Sequence, residues 1–237
     1  MSAVLNDKQP TRPLVSLRNL NKHYGDFAAV DDISLDIQDG EFLTFLLAIR
    51  KRSAAERDKQ VDAMRLSQRI AIFSHGKIVG LGSGYDLYQN PPNAFVASFL
   101  GNSNFLRIKA HGNGAASFEG QPLAMRLTPG LAEGQEVLLM VRPEKALALS
   151  VEQAAREALP AGWNEVTAKV GEVLFLGESQ TCSVLTAGGT AMTVKALSAA
   201  GMPMQPGDTV KVRWAVADAC VYTQWAESDL NKAAGAH

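Results

Sequence analysis

The segment TVKVRWAV, Thr209–Val216, alternates apolar and polar residues along most of its length. A period of two places alternate side chains on opposite faces of a sheet, so the segment predicts a half-buried β-strand. Its apolar positions Val210, Val212, Trp214 and Val216 define the face expected to be buried. This strand is the clearest in the chain, and it decides how the second half of the sequence is interpreted.

Short alternating runs of the same kind recur from Gly101 onwards, with turn signals at intervals of about 8 to 15 residues. Many short strands with recurring turns indicate a small β-barrel or sandwich. The alanine-rich stretch SVEQAAREALPAGW, residues 150–163, interrupts the series and predicts a loop with a short helical turn. We therefore expect one β-domain over residues 102–226 and a frayed tail over residues 227–237.

The first part of the chain predicts three further strands. Alternation in residues 14–24 and 28–38 indicates two of them, joined by a turn at GDF. The third, EFLTFL at residues 41–46, follows a hairpin-type turn at Asp39-Gly40 and is more uniformly apolar, which predicts an interior strand. Residues 1–13 are polar with two prolines and are expected to be a flexible leader.

Residues 48–82 predict a helix followed by a hairpin. From Ala48 to Leu66 apolar residues fall on one helical face, and arginines and lysines occupy most of the rest. We interpret this basic run as a solvated face, with contact to anionic lipid or RNA as the alternative. RIAIF and GKIVGLG then predict a β-hairpin that turns at Ser74-His75-Gly76.

Two short helices follow the hairpin. Ser83, with Asp86 three residues later, is a capping-box-like start for the helix YDLYQN. Asn93 is placed to cap a second helix, AFVASFL, and Gly101 is placed to end it.

Several of these segments together resemble the ATP-binding subunit of bacterial ABC importers, of the kind that carries a C-terminal regulatory TOBE domain. Spermidine/putrescine importers are the most similar, followed by ferric-iron, sulfate and sugar importers. The likeness is carried by NLNKHYGDFAAVDDISLDIQDGEFLTFL (19–46), by DAMRLSQRIAIFSHGKIVGLGSGYDLYQNPPNAFVASFLGNSNFL (62–106), and by VLLMVRPE (137–144), KVGEVLFLGESQTCSVL (169–185) and GDTVKVRW (207–214).

The resemblance implies an α+β, mainly β chain with two domains. Residues 14–101 would be the remnant of an ABC nucleotide-binding domain, built from N-terminal antiparallel strands, a helix, a hairpin and two short helices. Residues 102–226 would be an OB-like β-barrel, the TOBE domain.

Compared with that family, the nucleotide-binding middle is missing. A Walker A loop, G-x-x-x-x-G-K-[ST], aims backbone N–H groups at the phosphates and supplies a lysine and a magnesium-binding hydroxyl. No such motif occurs in the sequence, and only 13 residues separate Leu46 from Gln60. One βαβ unit alone takes about 30 residues. The signature and Walker B sequences are absent as well, so an internally deleted subunit without ATPase activity is expected, with no catalytic residue assigned.

Two residues remain from the adenine side of the nucleotide site. In the resembling family an aromatic residue at the position of Tyr24 stacks on adenine, with Val30 nearby. Stacking contributes about 1–3 kcal/mol per base, and about 4 kcal/mol corresponds to millimolar binding. ATP and magnesium are the cofactors of the intact family, but we expect neither to bind tightly here. The alternative interpretation of Tyr24 is a partly buried aromatic at a strand end.

Composition excludes several other classes. A net charge of -1 and a pI near 6.4 argue against a broad basic surface for nucleic acid. Cys182 and Cys220 are interpreted as buried, reduced thiols, and the four histidines show no metal-ligand spacing. The longest apolar run, FLTFLLAI, is shorter than the roughly 20 residues of a membrane-spanning helix. A cytoplasmic protein, peripheral at the inner face of the membrane through partners, is expected.

The functional expectation is a non-hydrolysing subunit of an importer, with polyamine as the transported class. Its partners would be a second copy or a full-length ATPase subunit, joined through the TOBE domain, and through them the membrane permeases. The alternative is a non-catalytic assembly or small-ligand module that binds oxyanions. A further possibility is a damaged gene product, because the third strand would lack its usual neighbours and leave an apolar edge exposed.

Overall fold

A computed structural model describes residues 12–47, 66–197 and 204–230. The leader up to residue 11, the predicted helix over residues 48–65 and the tail from residue 231 lie outside the described residues. The chain forms two compact units, Met1–Pro92 and Asn93–His237, each described separately below. No helix in the described ranges has the length and apolar character needed to cross a membrane.

The N-terminal unit begins with a two-stranded antiparallel sheet. Strands β1 (Val15–Tyr24) and β2 (Phe27–Ile37) pair along their length and turn at Gly25-Asp26. Both strands were predicted from their alternation. The ladder contains register shifts, and β1 is exposed at nearly every position.

A second sheet in this unit corrects two sequence-based predictions. Strand β3 (Leu43–Leu47) runs parallel to β4 (Arg69–Ser74), which pairs antiparallel with β5 (Lys77–Gly82). The order β3-β4-β5 places β3 at an edge, so the prediction of an interior strand was wrong for the described part of the chain. The Asp39-Gly40 turn forms, but it connects two sheets instead of closing a hairpin, because β3 pairs with β4 and not with β2.

The physical reason lies in β4. Ile70, Ala71 and Ile72 are completely buried and take the centre of the sheet, with one partner strand on each side. The predicted β4–β5 hairpin is confirmed. His75 and Gly76 at its turn both have positive φ, 49° and 78°, the conformation required by a two-residue type I′ turn.

The two predicted short helices are confirmed. Helix α1 (Gly84–Gln89) is capped by Ser83, whose hydroxyl accepts a hydrogen bond from the Asp86 N–H at 3.1 Å. Helix α2 (Ala94–Leu100) is capped by Asn93, whose side-chain oxygen accepts from the Val96 N–H at 2.9 Å.

Helix α2 belongs to the C-terminal unit. Ala94 and Ala97 pack with Leu138, Met140 and Tyr222 of that unit's strands. The division of the chain therefore falls after Pro92, earlier than the boundary at residues 101 and 102 expected from the sequence.

The C-terminal unit consists of two five-stranded antiparallel sheets around one core. The strands are β6 (Asn104–Ala110), β7 (Ala115–Phe118), β8 (Gln121–Ala124), β9 (Glu136–Val141), β10 (Leu147–Ser150), β11 (Trp163–Phe175), β12 (Ser179–Thr186), β13 (Ala191–Leu197), β14 (Thr209–Ala215) and β15 (Cys220–Tyr222). Sheet I has the order β15-β9-β6-β7-β8, and sheet II has the order β10-β14-β11-β12-β13. Trp214, Val210 and Val212 are buried in the shared core, as their alternation predicted.

The two sheets repeat the same pattern with one exchange. The first half of the unit supplies β6–β10 and the second half supplies β11–β15. In sheet I, four strands of the first half lie in the order β9-β6-β7-β8, and β15, the last strand of the second half, pairs with β9 at the edge. Sheet II has the equivalent order β14-β11-β12-β13, and β10, the last strand of the first half, pairs with β14 at its edge. Lys145 and Asp218 lie in the matching 3-10 turns before these exchanged strands and form an ion pair of 3.1 Å.

Two asparagine side chains join the sheets at their other edges. Asn104 of β6 donates to the Thr193 carbonyl at 2.8 Å and accepts from the Thr193 N–H at 2.6 Å, on the edge strand of sheet II. Asn164 of β11 forms the same pair of bonds with Ala124, both 2.8 Å, on the edge strand of sheet I. Each side-chain amide thus makes the two hydrogen bonds that one residue of a neighbouring strand would otherwise make.

A carboxylate adds a third link between the sheets. Glu119, in the turn between β7 and β8, accepts hydrogen bonds from the Thr186 hydroxyl at 2.5 Å, the Gly188 N–H at 2.8 Å and the Thr190 hydroxyl at 2.9 Å. Partial burial opposes ionisation, but these hydrogen bonds outweigh it and lower the pKa of Glu119 below its ordinary value of 4.5.

Removing one asparagine link should destabilise the C-terminal unit. We expect Asn104→Ala to lower the free energy of unfolding by about 1–3 kcal/mol, because the partly buried N–H and C=O of Thr193 lose the side chain that they bond. Urea unfolding measures this change. The matched control Asn102→Ala removes an exposed side chain of the same type two residues away and should stay within about 0.5 kcal/mol. Equal stabilities of the two variants would contradict the role given to Asn104.

The Glu119 link should depend on pH. A lowered pKa means that ionised Glu119 stabilises the fold above pH 4.5 and that this stabilisation is lost as the pH falls through the folded-state pKa. We expect Glu119→Gln to be less stable than the natural protein at pH 7, with the difference shrinking below pH 4.5. Urea titrations across this range measure it, and a difference that does not change with pH would contradict the assignment.

Candidate functional site

The two residues predicted from the adenine side lie on the N-terminal hairpin. Tyr24 is the last residue of β1, as expected for a strand-end aromatic, but its 67% exposure shows that it is not partly buried. The Lys22 ammonium lies 5.1 Å from the Tyr24 ring centroid, and Val30 of β2 is paired with Lys22 in the ladder. Lys22 was not among the residues considered from the sequence.

This hairpin can offer one aromatic face and one cation. A cation over an exposed tyrosine contributes about 0.5–1 kcal/mol, and one stacked base about 1–3 kcal/mol. The side of the Tyr24 ring covered by Lys22 is closed to a planar ligand, so stacking would use the opposite face. Adenine contact at Tyr24 and Val30 stays a prediction.

The VRPE segment, which carried part of the resemblance, has a structural role at Arg142. The Arg142 side chain is 3% exposed, and its Nη1 donates to the carbonyl oxygens of Ala97 at 2.9 Å and Gly101 at 3.2 Å. It also donates to the Ser103 hydroxyl at 2.7 Å. A cation at the C-terminal end of α2 complements the free carbonyls and the helix dipole. Arg142 therefore fixes α2 against sheet I.

Apolar side chains are exposed together at the end of the β11–β12 hairpin. Leu174, Phe175 and Leu176 lie at the turn, which is closed by a hydrogen bond from the Leu176 N–H to the Ser179 carbonyl. Leu197, at the end of β13, pairs with Ser179 in the ladder and is also exposed. We call these four residues the apolar tip. Leu174 and Phe175 are successive residues of one strand, so their side chains expose apolar surface on the two faces of the hairpin. Exposed apolar surface of this kind marks a candidate interaction site.

A cluster that the sequence analysis did not find lies on sheet I. His111 contacts the Glu133 carboxylate and the Ser117 hydroxyl, each at 2.7 Å. Ser117 and Glu133 follow His111 by 6 and 22 positions, and no local motif marks the three residues. The glycine-rich turn after His111 was the available signal, because a hairpin there folds Ser117 back toward His111.

The remaining titratable candidates are structural. Cys182 and Cys220 are both buried and form no disulfide, as predicted, and burial raises the pKa of each thiol. Within residues 12–47, 66–197 and 204–230, no group of three or more histidine, cysteine, aspartate or glutamate side chains is arranged to hold a metal ion.

Comparison with protein families finds a match to part of the C-terminal unit. Residues 139–221 match the TOBE domain family. The match runs from within β9 to within β15, so it includes the exchanged strands and the apolar tip. The mainly β fold with an OB-like TOBE domain, expected from the sequence, is confirmed.

Curated relatives are ATP-binding proteins of importers. The chain is 34% identical to the spermidine/putrescine import ATP-binding protein PotA of Frankia alni, over 65% of this chain and 36% of that protein. It is 34% identical to PotA of Chromobacterium violaceum, over 65% of this chain and 44% of that protein. The PotA protein of Mesorhizobium japonicum is 30% identical over 65% and 41%. The chain thus spans less than half the length of these relatives.

Among solved structures, the cytoplasmic molybdate-binding protein ModG with molybdate bound is 18% identical to this chain. The structural match covers 51% of this chain and 94% of ModG, with a TM-score of 0.44.

Proposed function

We propose, from the premise that residues 139–221 form a TOBE domain, that this chain is a non-hydrolysing relative of the ATP-binding subunits of polyamine importers. In this proposal it contributes the regulatory domain to an assembly and does not drive transport itself. The observation that carries the proposal is the TOBE match within a folded C-terminal unit, joined to similarity with three PotA proteins.

The sequence supports the loss of ATP hydrolysis. Catalysis of phosphoryl transfer requires groups that position the phosphates and magnesium, and the sequence contains no Walker A motif. Tyr24 and Lys22 of the β1–β2 hairpin offer a face and a charge for one base. No lysine-bearing glycine loop that would bind the phosphates follows them in the sequence. Tight binding of MgATP is therefore not proposed.

The exposed apolar tip supports a role in assembly. Its four residues lie on the TOBE domain and together present large apolar side chains to solvent. Covering them would remove apolar surface from water at about 25 cal/mol per Å². We propose that a second copy of this chain or a full-length ATPase subunit covers the tip, and that membrane permeases are reached only through such an assembly. This would place the chain at the cytoplasmic face of the membrane.

We expect no magnesium-dependent ATP turnover above background and no calorimetric signal for MgATP at micromolar concentration. The physical reason is the missing phosphate loop, since stacking alone corresponds to millimolar affinity or weaker. A full-length PotA protein assayed in parallel is the positive control. Turnover by the pure chain that scales with its concentration would overturn this part of the proposal.

Assembly is tested by size-exclusion chromatography with light scattering, alone and with a full-length PotA protein. We expect the natural chain to form a dimer or a mixed complex, and Phe175→Glu to weaken it at least 10-fold, because a charge would be buried at the contact. Leu127→Glu, at an exposed apolar residue outside the apolar tip, is the matched control. A strict monomer that ignores the full-length subunit, or equal effects of both variants, would refute the assembly role.

A further inference from the structure

Three side chains on the C-terminal unit form a continuous hydrogen-bonded chain. His111 follows directly after β6, Ser117 lies in β7, and Glu133 lies in the loop before β9. His111 Nδ1 is 2.7 Å from Glu133 Oε1, and His111 Nε2 is 2.7 Å from Ser117 Oγ. A hydroxyl, an imidazole and a carboxylate in this order have the connectivity of a nucleophile, a base and an orienting group.

The carboxylate fixes the tautomer of the imidazole. A carboxylate can only accept a hydrogen bond, so Nδ1 of His111 must carry the hydrogen that points to Glu133. In the neutral ring Nε2 then has a free lone pair. This lone pair faces the Ser117 hydroxyl and can accept its proton.

Backbone hydrogen bonds hold the elements that carry these side chains. The His111 N–H donates to the Ala115 carbonyl at 2.9 Å, across a turn of three residues with positive φ (residues 112–114). The Gly134 N–H, next to Glu133, donates to the Ala110 carbonyl, next to His111, at 2.8 Å. The cluster therefore joins neighbouring strands of one sheet and does not depend on a single mobile loop.

A lysine lies beside the serine. Lys109 of β6 is the direct ladder partner of Ser117, and both belong to the outward-facing set of their strands. Side chains directly opposite each other on antiparallel strands have Cβ atoms about 4.5–5.5 Å apart. The Lys109 ammonium can therefore reach a negative charge that develops on an oxygen bound next to Ser117.

We propose that Ser117 is a base-activated nucleophile that accepts an acyl group from small activated esters. Ser117 Oγ forms a bond to the ester carbonyl carbon while its proton passes to His111 Nε2. The carbon–oxygen bond to the leaving group then breaks, and His111 returns the proton to the departing oxygen. Water, deprotonated by His111, attacks the acyl-serine in the same way, releases the carboxylic acid and restores the serine.

The exposure of the site determines the class of substrate. The side chains of His111 and Glu133 are 39% and 72% exposed, so the cluster lies on an open surface. An open surface supplies little binding energy to a large substrate. Chemistry here is thus restricted to acyl donors with good leaving groups, such as aryl esters, and to phosphonylating reagents that trap activated serines.

The test uses the full chain with a fluorophosphonate probe and p-nitrophenyl acetate, followed by intact-mass and peptide mass spectrometry. We expect one modified residue per chain, Ser117, and hydrolysis of the ester above the buffer rate. Ser117→Ala should abolish the label. His111→Gln keeps a polar side chain but removes the base, and should slow labelling by about 100-fold or more.

Glu133 is assigned as a positioning residue. Glu133→Gln should slow labelling by about 10-fold or more, because an amide can also stabilise the wrong tautomer. Glu133→Asp keeps an acceptor-only group and should recover part of the rate, which a purely structural role would not require.

Ser228→Ala, at an exposed serine of the short helix Glu227–Leu230, is the matched control and should label at the natural rate. Circular dichroism confirms that each variant is folded. Labelling of Ser117 no faster than of other exposed serines, or a rate unchanged in His111→Gln, would overturn the proposal.

Discussion

The C-terminal unit depends on two side-chain amides that take the place of backbone. Asn104 and Asn164 each donate to and accept from a single residue on the edge strand of the opposite sheet. Because an amide side chain has the same donor and acceptor as a peptide group, it completes a ladder that would otherwise end in unpaired N–H and C=O groups. The two sheets are thereby held at the separation that the shared core fills, and Glu119 reinforces the same junction. The backbone of one residue in each edge strand is thereby unavailable for pairing with another chain.

In the described part of the N-terminal unit, by contrast, an apolar edge strand is left exposed. The strands of this unit form two small sheets, and β3 ends one of them with an apolar sequence and an exposed Phe45. A two-stranded sheet such as β1–β2 is marginal by itself in water. The TOBE match, the apolar tip and the cluster of His111, Ser117 and Glu133 all lie in the C-terminal unit.

Local patterns were sufficient to predict much of the fold. The alternation around Trp214 identified a core strand, and the caps at Ser83 and Asn93 marked two helices correctly, because each depends only on residues close in sequence. Long-range choices were not predictable in this way. Whether β3 pairs with β2 or β4, and whether α2 packs with the N-terminal or the C-terminal unit, is decided by contacts between distant segments. The Asn104–Thr193 pair and the cluster of His111, Ser117 and Glu133 were missed for the same reason, because nothing in the sequence next to each residue marks its partner.

The exchange of fifth strands has a consequence for synthesis on the ribosome. β10 has no place to pair until β14 has left the exit tunnel, and sheet I lacks its outer strand until Tyr222 has emerged. Nascent chains therefore pass through a stage in which the first half exposes an incomplete sheet. Contacts of such large sequence separation make folding slow, and incomplete sheets are the species on which chaperones act. A stop codon a few residues before Cys220 would leave every newly made copy in that unfinished state.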